Sequence, residues 1–132
     1  MENLYLKGNL KFPTLDFNAQ TGVFEIKGRS LPEHAVEFYK PVVDWLDHYK
    51  KSPKSKTTIN VSLEYFNTSS SKMILDIFKK FQELHKAGAA MEVNWYYEED
   101  DPDMLDQGQT FKEIVKIPMN IISVKEFDFQ LI

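Results

Sequence analysis

The feature that most constrains this chain is a strand–helix–strand pattern over residues 56–97. Along 56–65, Ile59, Val61, Leu63 and Tyr65 alternate with Thr58, Asn60, Ser62 and Glu64. Along 91–97, Met91, Val93, Trp95 and Tyr97 alternate with Glu92, Asn94 and Tyr96. A period of two marks a strand with one buried face. Between the strands, Ile74, Ile77, Phe78, Phe81 and Leu84 recur at helical spacing, and Gly88 supplies a stop signal. Strand, helix and strand joined by short links form a crossover unit. The two strands should therefore be parallel and the connection right-handed. Strands covered on both faces would be apolar throughout. These are apolar on one face only, which predicts a sheet with helices packed mainly on one side and a more polar, accessible face on the other.

The flanks extend this unit. Short extended pieces at 4–6 and 15–17, broken by Gly8 and Pro13, precede a Thr21-Gly22 turn and a strand at 23–27. They suggest an antiparallel meander. Ser30 and Glu33 have capping-box spacing, and Pro41 cannot sit deep in a regular helix without kinking it. The expectation is a short helical lead-in, then a main helix starting near Pro41 with Val42, Val43, Leu46 and Tyr49 facing the core. Asp101-Pro102 reads as cap and first position of a third helix, weakened by Gly108. Residues 119–124 read as the last strand.

The chain has 132 residues, which suits one domain over 1–132, with 125–132 unassigned. It is 42% hydrophobic with ten Phe, enough to bury a proper core. Cysteine is absent, which removes disulfides, thiol nucleophiles and thiolate metal sites together. Together with a start, MENLYLKG, that lacks a basic-then-apolar leader, this reads as cytoplasmic. No apolar run approaches the roughly 18 residues of a membrane span. The net charge is −4, whereas a nucleic-acid binder needs a concentrated basic face. The cluster Lys50, Lys51, Lys54 and Lys56 reads as a solvated helix end and turn.

The junction between the 56–65 strand and its helix reads LEYFNTSSSK (63–72), with four consecutive hydroxyl side chains, Thr68, Ser69, Ser70 and Ser71. Asn67 or Thr68 can cap the helix by offering an oxygen to free amides. Capping and solubility alone could account for the hydroxyls. A phosphate here would also gain from the helix dipole and the free amides. Lys72 lies one turn along, and the carboxyl edge of an open sheet is where function usually sits. Periodicity does not choose among the hydroxyls.

The 63–72 stretch resembles the signature of the SiaC family of small bacterial regulatory phosphoproteins. So do GRS-PE (28–33), EFYKPVVDWL (37–46) and VNWYYEEDDPDM (93–104). The resemblance covers most of residues 1–122 and implies an α/β, STAS-like single domain with a mixed sheet, similar to anti-sigma-factor antagonists. It implies Thr68 as the phosphoacceptor of a partner-switching system. The implied partners are a serine/threonine kinase, a PP2C-like phosphatase and an effector, a diguanylate cyclase in the SiaC-type system. By that resemblance the unphosphorylated form binds and stimulates the effector in c-di-GMP signalling and biofilm control.

After the second strand come Glu98, Glu99, Asp100, Asp101 and Asp103. Both strands should end at one edge, which places this acidic loop near Thr68. It reads as a helix cap, as a partner surface or as a Mg²⁺ site, of which a mixture of cap and partner surface is preferred. Tyr96, on the polar face, is the aromatic best placed for a partner. His34, His48 and His85 have no metal-ligand spacing, and no nucleophile–base–orienter set is legible. The reading is therefore a non-enzymatic adaptor without cofactor or metal. Its rivals are a small Mg²⁺ enzyme using residues 98–103 and a constitutive binding module without a switch.

Overall fold

The structure is a computed structural model, described for residues 1–129. Nine elements follow in order: β1 (Leu4–Leu6), β2 (Thr14–Asn18), β3 (Val23–Ser30), α1 (Ala35–Tyr49), β4 (Lys56–Phe66), α2 (Thr68–Lys86), β5 (Ala90–Glu98), α3 (Pro102–Ile114) and β6 (Met119–Val124). The strands form one six-stranded sheet in the order β1-β2-β3-β4-β5-β6. β1, β2 and β3 pair antiparallel, as the meander expectation has it. β3, β4, β5 and β6 pair parallel, so each of the three helices is a crossover.

The inward residues of the strands form one core with the buried stripes of the helices. Leu15, Phe17, Phe24, Ile26, Ile59, Val61, Val93 and Trp95 face Tyr39, Val42, Leu46, Ile74, Ile77, Phe78 and Phe81. The opposite face is open and polar. Strand register aligns Tyr5, Asp16, Glu25, Asn60, Asn94 and Asn120 in one row across all six strands. Within it the Asn120 amide donates to Asn94 at 2.9 Å and Asn94 to Asn60 at 3.0 Å.

Three expectations need correction. First, α1 is one helix from Ala35 with Pro41 inside it, rather than a lead-in and a restart. Pro41 lies on the exposed side, where its missing amide costs about 3 kcal/mol. Burial of Ala35, Tyr39, Val42, Leu46 and Tyr49 outweighs that cost. Second, Ser30 is not a cap. It ends β3, fully buried, while His34 at the start of α1 makes no side-chain cap. Third, Tyr65 points outward at 56% exposure and Phe66 points inward at 8%. The cause is a register shift: Gly28 pairs with Leu63 but Arg29 with Tyr65, so β4 carries one extra residue, Glu64. Gly28 sits at φ +107°, a conformation that favours glycine.

The third helix starts as expected, with the Asp101 carboxylate accepting from the Met104 amide at 3.2 Å and Pro102 at the first position. Gly108 has a packing reason. A methyl group there would sit 2.4 Å from Cδ1 of Trp95. The Trp95 indole meanwhile donates to the Met104 carbonyl at 3.0 Å, locking α3 onto the sheet.

Candidate functional site

The chain leaves β4 at Phe66, and Asn67 turns it into α2. Asn67 uses both ends of its amide. Its oxygen accepts from the Ser70 amide at 2.9 Å and from the Ser69 hydroxyl at 3.3 Å. Its nitrogen donates to the Pro32 carbonyl at 3.1 Å, tying the helix start to the β3–α1 loop. Of the two capping candidates, Asn67 is the cap and Thr68 is the first helical residue. Pro32 also lines a surface cavity of about 520 Å³ with Lys11, Phe12, His34 and Phe38.

The four hydroxyls separate by environment. Thr68 and Ser69 are exposed, Ser71 is half-buried and Ser70 is fully buried. Ser70 donates to the Ser30 carbonyl at 3.1 Å and accepts from the Ser30 hydroxyl at 2.8 Å. Ser30 is also paired with the Tyr39 hydroxyl. With the serine protons so committed, Tyr39 is the donor at the head of the chain: Tyr39 to Ser30, Ser30 to Ser70, Ser70 to backbone. Burial pushes the Tyr39 phenol from 10.0 up to about 12. This buried chain pins the first turn of α2 to β3 and α1. Among the described residues, no hydrogen bond engages the Thr68 hydroxyl, and the Thr68 and Ser69 amides have no partner. The result is an accessible hydroxyl beside two free donors on a rigid mount. Lys72 is exposed on the same helix.

β4 and β5 are parallel neighbours, so α2 and the acidic loop both begin at the carboxyl edge of the sheet. The acids there have different tasks. Asp101 caps α3. Glu98 accepts from the Phe127 amide at 2.9 Å. Glu99 and Asp100 are exposed in the turn. Tyr96 lies opposite Ser62 on the open face and is half-buried rather than free. Among the described residues, no group of three or more His, Cys, Asp or Glu side chains could hold a metal ion. No described helix is long and apolar enough to cross a membrane. Sequence reasoning missed Ser30, Tyr39 and Pro32 as supports of the site. The GRS-PE block contained two of them, but its spacing suggested a local cap instead.

The fold and site define a class: a small α/β regulatory domain carrying hydroxyl residues on a pinned, solvent-facing helix start. The chain belongs to the SiaC family of regulatory phosphoproteins, whose family model matches residues 6–124. It is accordingly a regulatory protein rather than an enzyme. The structure is similar to that of SiaC of Pseudomonas aeruginosa, at 26% identity and a TM-score of 0.85, covering 94% of this chain and 100% of that one. It is equally similar to a chain of the crystal structure of the P. aeruginosa diguanylate cyclase SiaD in complex with its activator SiaC. That match has 26% identity and a TM-score of 0.86, over 92% of this chain and 99% of that one. An uncharacterized protein of P. aeruginosa strain UCBPP-PA14 is 26% identical over 121 residues, 92% of this chain and 96% of its own length. The expected mixed sheet with helices on one face is thus the architecture shared with these structures.

Proposed function

We propose that this protein is an adaptor switched by phosphorylation of Thr68, and that its unmodified form binds and stimulates a diguanylate cyclase. The observation that carries the reading is the state of the Thr68 hydroxyl: exposed, unbonded and next to two free helix amides. Ser70 is committed to the buried chain. Ser69 already donates to the cap. The effector class rests on likeness to SiaC, the activator seated on SiaD. A cytoplasmic serine/threonine kinase adds the phosphate and a PP2C-like phosphatase removes it.

A phosphate on Thr68 brings about −1.5 to −2 charges to the edge that also carries Glu98, Glu99, Asp100 and Asp101. With Tyr96, these form the partner surface. The phosphate engages the free amides at the start of α2, and its charge repels the carboxylates that the effector contacts. Asn67, held between the helix start and Pro32, relays any shift of that first turn to the β3–α1 loop.

Intact-mass measurement and peptide mapping of protein from its native cell should find a single phosphate on Thr68. Thr68→Ala should lock the protein in the effector-bound state. Unmodified protein under every growth condition, with Thr68→Ala still normally regulated, would leave a constitutive binding module in place of the switch.

A further inference from the structure

Residues 125–129 lie outside the segment that matches the family, yet they are laid onto the domain. Phe127 and Phe129 are half-buried while Glu126 and Asp128 are exposed, the alternation of a strand without a strand partner. The two rings stack at 4.9 Å. The Phe127 amide is anchored on Glu98 at 2.9 Å. Beyond that anchor, Asp128 and Phe129 line a cavity of about 330 Å³ with Tyr5, Lys7, Thr14, Asp16, Lys27 and Gly28. These residues belong to the first three strands or their ends, on the open face or its rim. The segment therefore crosses the open face from β6, over β5 and β4, to β3. Three strand spacings are about 14 Å, and five extended residues reach about 16 Å. Lys7, Lys27 and Asp16 share that cavity with Asp128, Lys27 being paired with Glu25 at 3.6 Å, and Tyr5 and Tyr96 lie on the same open face.

We propose that the carboxyl half of the open face is a docking groove for a short extended aromatic–acidic–aromatic segment, and that residues 125–129 of this same chain are its resident occupant. Glu98 and Tyr96 of the partner surface lie in that half. A protein that uses them must displace the segment, because the Glu98 oxygen already holds the Phe127 amide. This last step rests on the effector reading above; the occupancy itself does not. A surface free only part of the time binds with affinity reduced by the free fraction. Occupancy of about nine-tenths weakens effector binding about ten-fold.

The test has two arms. In the first, no partner is present. Amide spectra of the full chain and of its Phe127→Ser/Phe129→Ser variant are compared by NMR. Differences should concentrate at Tyr5, Lys7, Lys27, Gly28 and Glu98. The synthetic peptide KEFDFQLI, added to the variant, should restore the wild-type positions saturably. Unchanged spectra at those residues, or no response to peptide, overturn the groove. Differences that appear only at concentrations where the protein dimerises assign the occupant to a second copy and overturn the intrachain proposal. In the second arm, the variant should bind purified diguanylate cyclase from the same organism about ten-fold more tightly than wild type. Equal affinities overturn the gating. If neither form binds the cyclase, the effector reading fails, while the first arm still decides the groove.

Discussion

Replacing Ser30 should destabilise this protein more than replacing the tyrosine bonded to it, and the order follows from where the protons are. In the wild type, Tyr39 donates to Ser30, Ser30 to Ser70, and Ser70 to the Ser30 carbonyl, all three side chains being buried. Ser30→Ala removes one bonding partner from each neighbour and leaves the Tyr39 proton orphaned in the core. The two lost hydrogen bonds cost about 1 kcal/mol each and the unsatisfied buried donor about 1 more, so the variant should lose about 3 kcal/mol. Tyr39→Phe removes the donor itself. Ser30 still donates to Ser70, and the loss should be about 1 kcal/mol. The double variant leaves no orphan and should cost about 2 kcal/mol rather than the roughly 4 of the sum, a coupling of about 2 kcal/mol. Urea unfolding with unchanged m values measures all three. For a domain of this size 1 kcal/mol is about 4 °C in Tm, so Ser30→Ala should melt about 12 °C lower. Equal costs for the two single variants, or simple additivity in the double, would refute the assigned direction of the chain.

Further outcomes follow from the same geometry. Gly108→Ala places a methyl group 2.4 Å from the buried Trp95 indole; overpacking should exceed the helix-propensity gain and cost about 1–2 kcal/mol, with a change in tryptophan emission. Tyr39 should titrate near 12, above the ordinary 10.0. A raised phenol value means stability is fully present below pH 10 and falls as pH rises from about 10 to 12. Tyr39→Phe should flatten that part of the alkaline unfolding profile. Asp47, held below the usual carboxylate range chiefly by its hydrogen bond to Lys80 and also by Lys50, joins α1 to α2. Asp47→Asn should cost about 0.5 kcal/mol at neutral pH, as exposed pairs do. The difference should vanish in acid unfolding curves as pH falls through the depressed carboxylate value, because wild type then loses the same charge.

Periodic elements were legible in the sequence because their signal is local. The alternations of β4 and β5, the stripe of α2 and the Asp101-Pro102 start of α3 each lie within a few consecutive residues. What the sequence hid was long-range. Ser30 has the spacing of a cap with Glu33, yet its real partner is Ser70, brought in by strand pairing. Pro41 obeys a local rule that the buried stripe of α1 overrides. Tyr65 fits the alternation until the extra residue in β4 turns it out. At the site, an amide or hydroxyl cap followed by candidate hydroxyls could be read directly. Ser70 as a structural bolt could not, since its role exists only once β3 and α1 are packed. Residues 125–129 pair with no strand, so their alternating pattern suggested no element.

The strand order has a consequence for synthesis. Because the sheet order β1 through β6 repeats the chain order, every strand leaving the ribosome finds its neighbour already made, and none must be threaded between two earlier ones. The sheet can grow by accretion at a single moving edge. Thr68 emerges directly after β4, when the antiparallel meander and the first parallel pair can already be assembled but β5 has yet to be made. Until β5 and then β6 arrive, the growing sheet presents an unpaired parallel edge, the kind most open to wrong pairing with another chain. Met119–Val124 pairs with β5 last among the described strands and then forms that side of the sheet itself. A nonsense or frameshift lesion between α3 and β6 would therefore leave β5, the strand that carries Trp95, Tyr96 and Glu98, as the exposed edge of an otherwise assembled sheet.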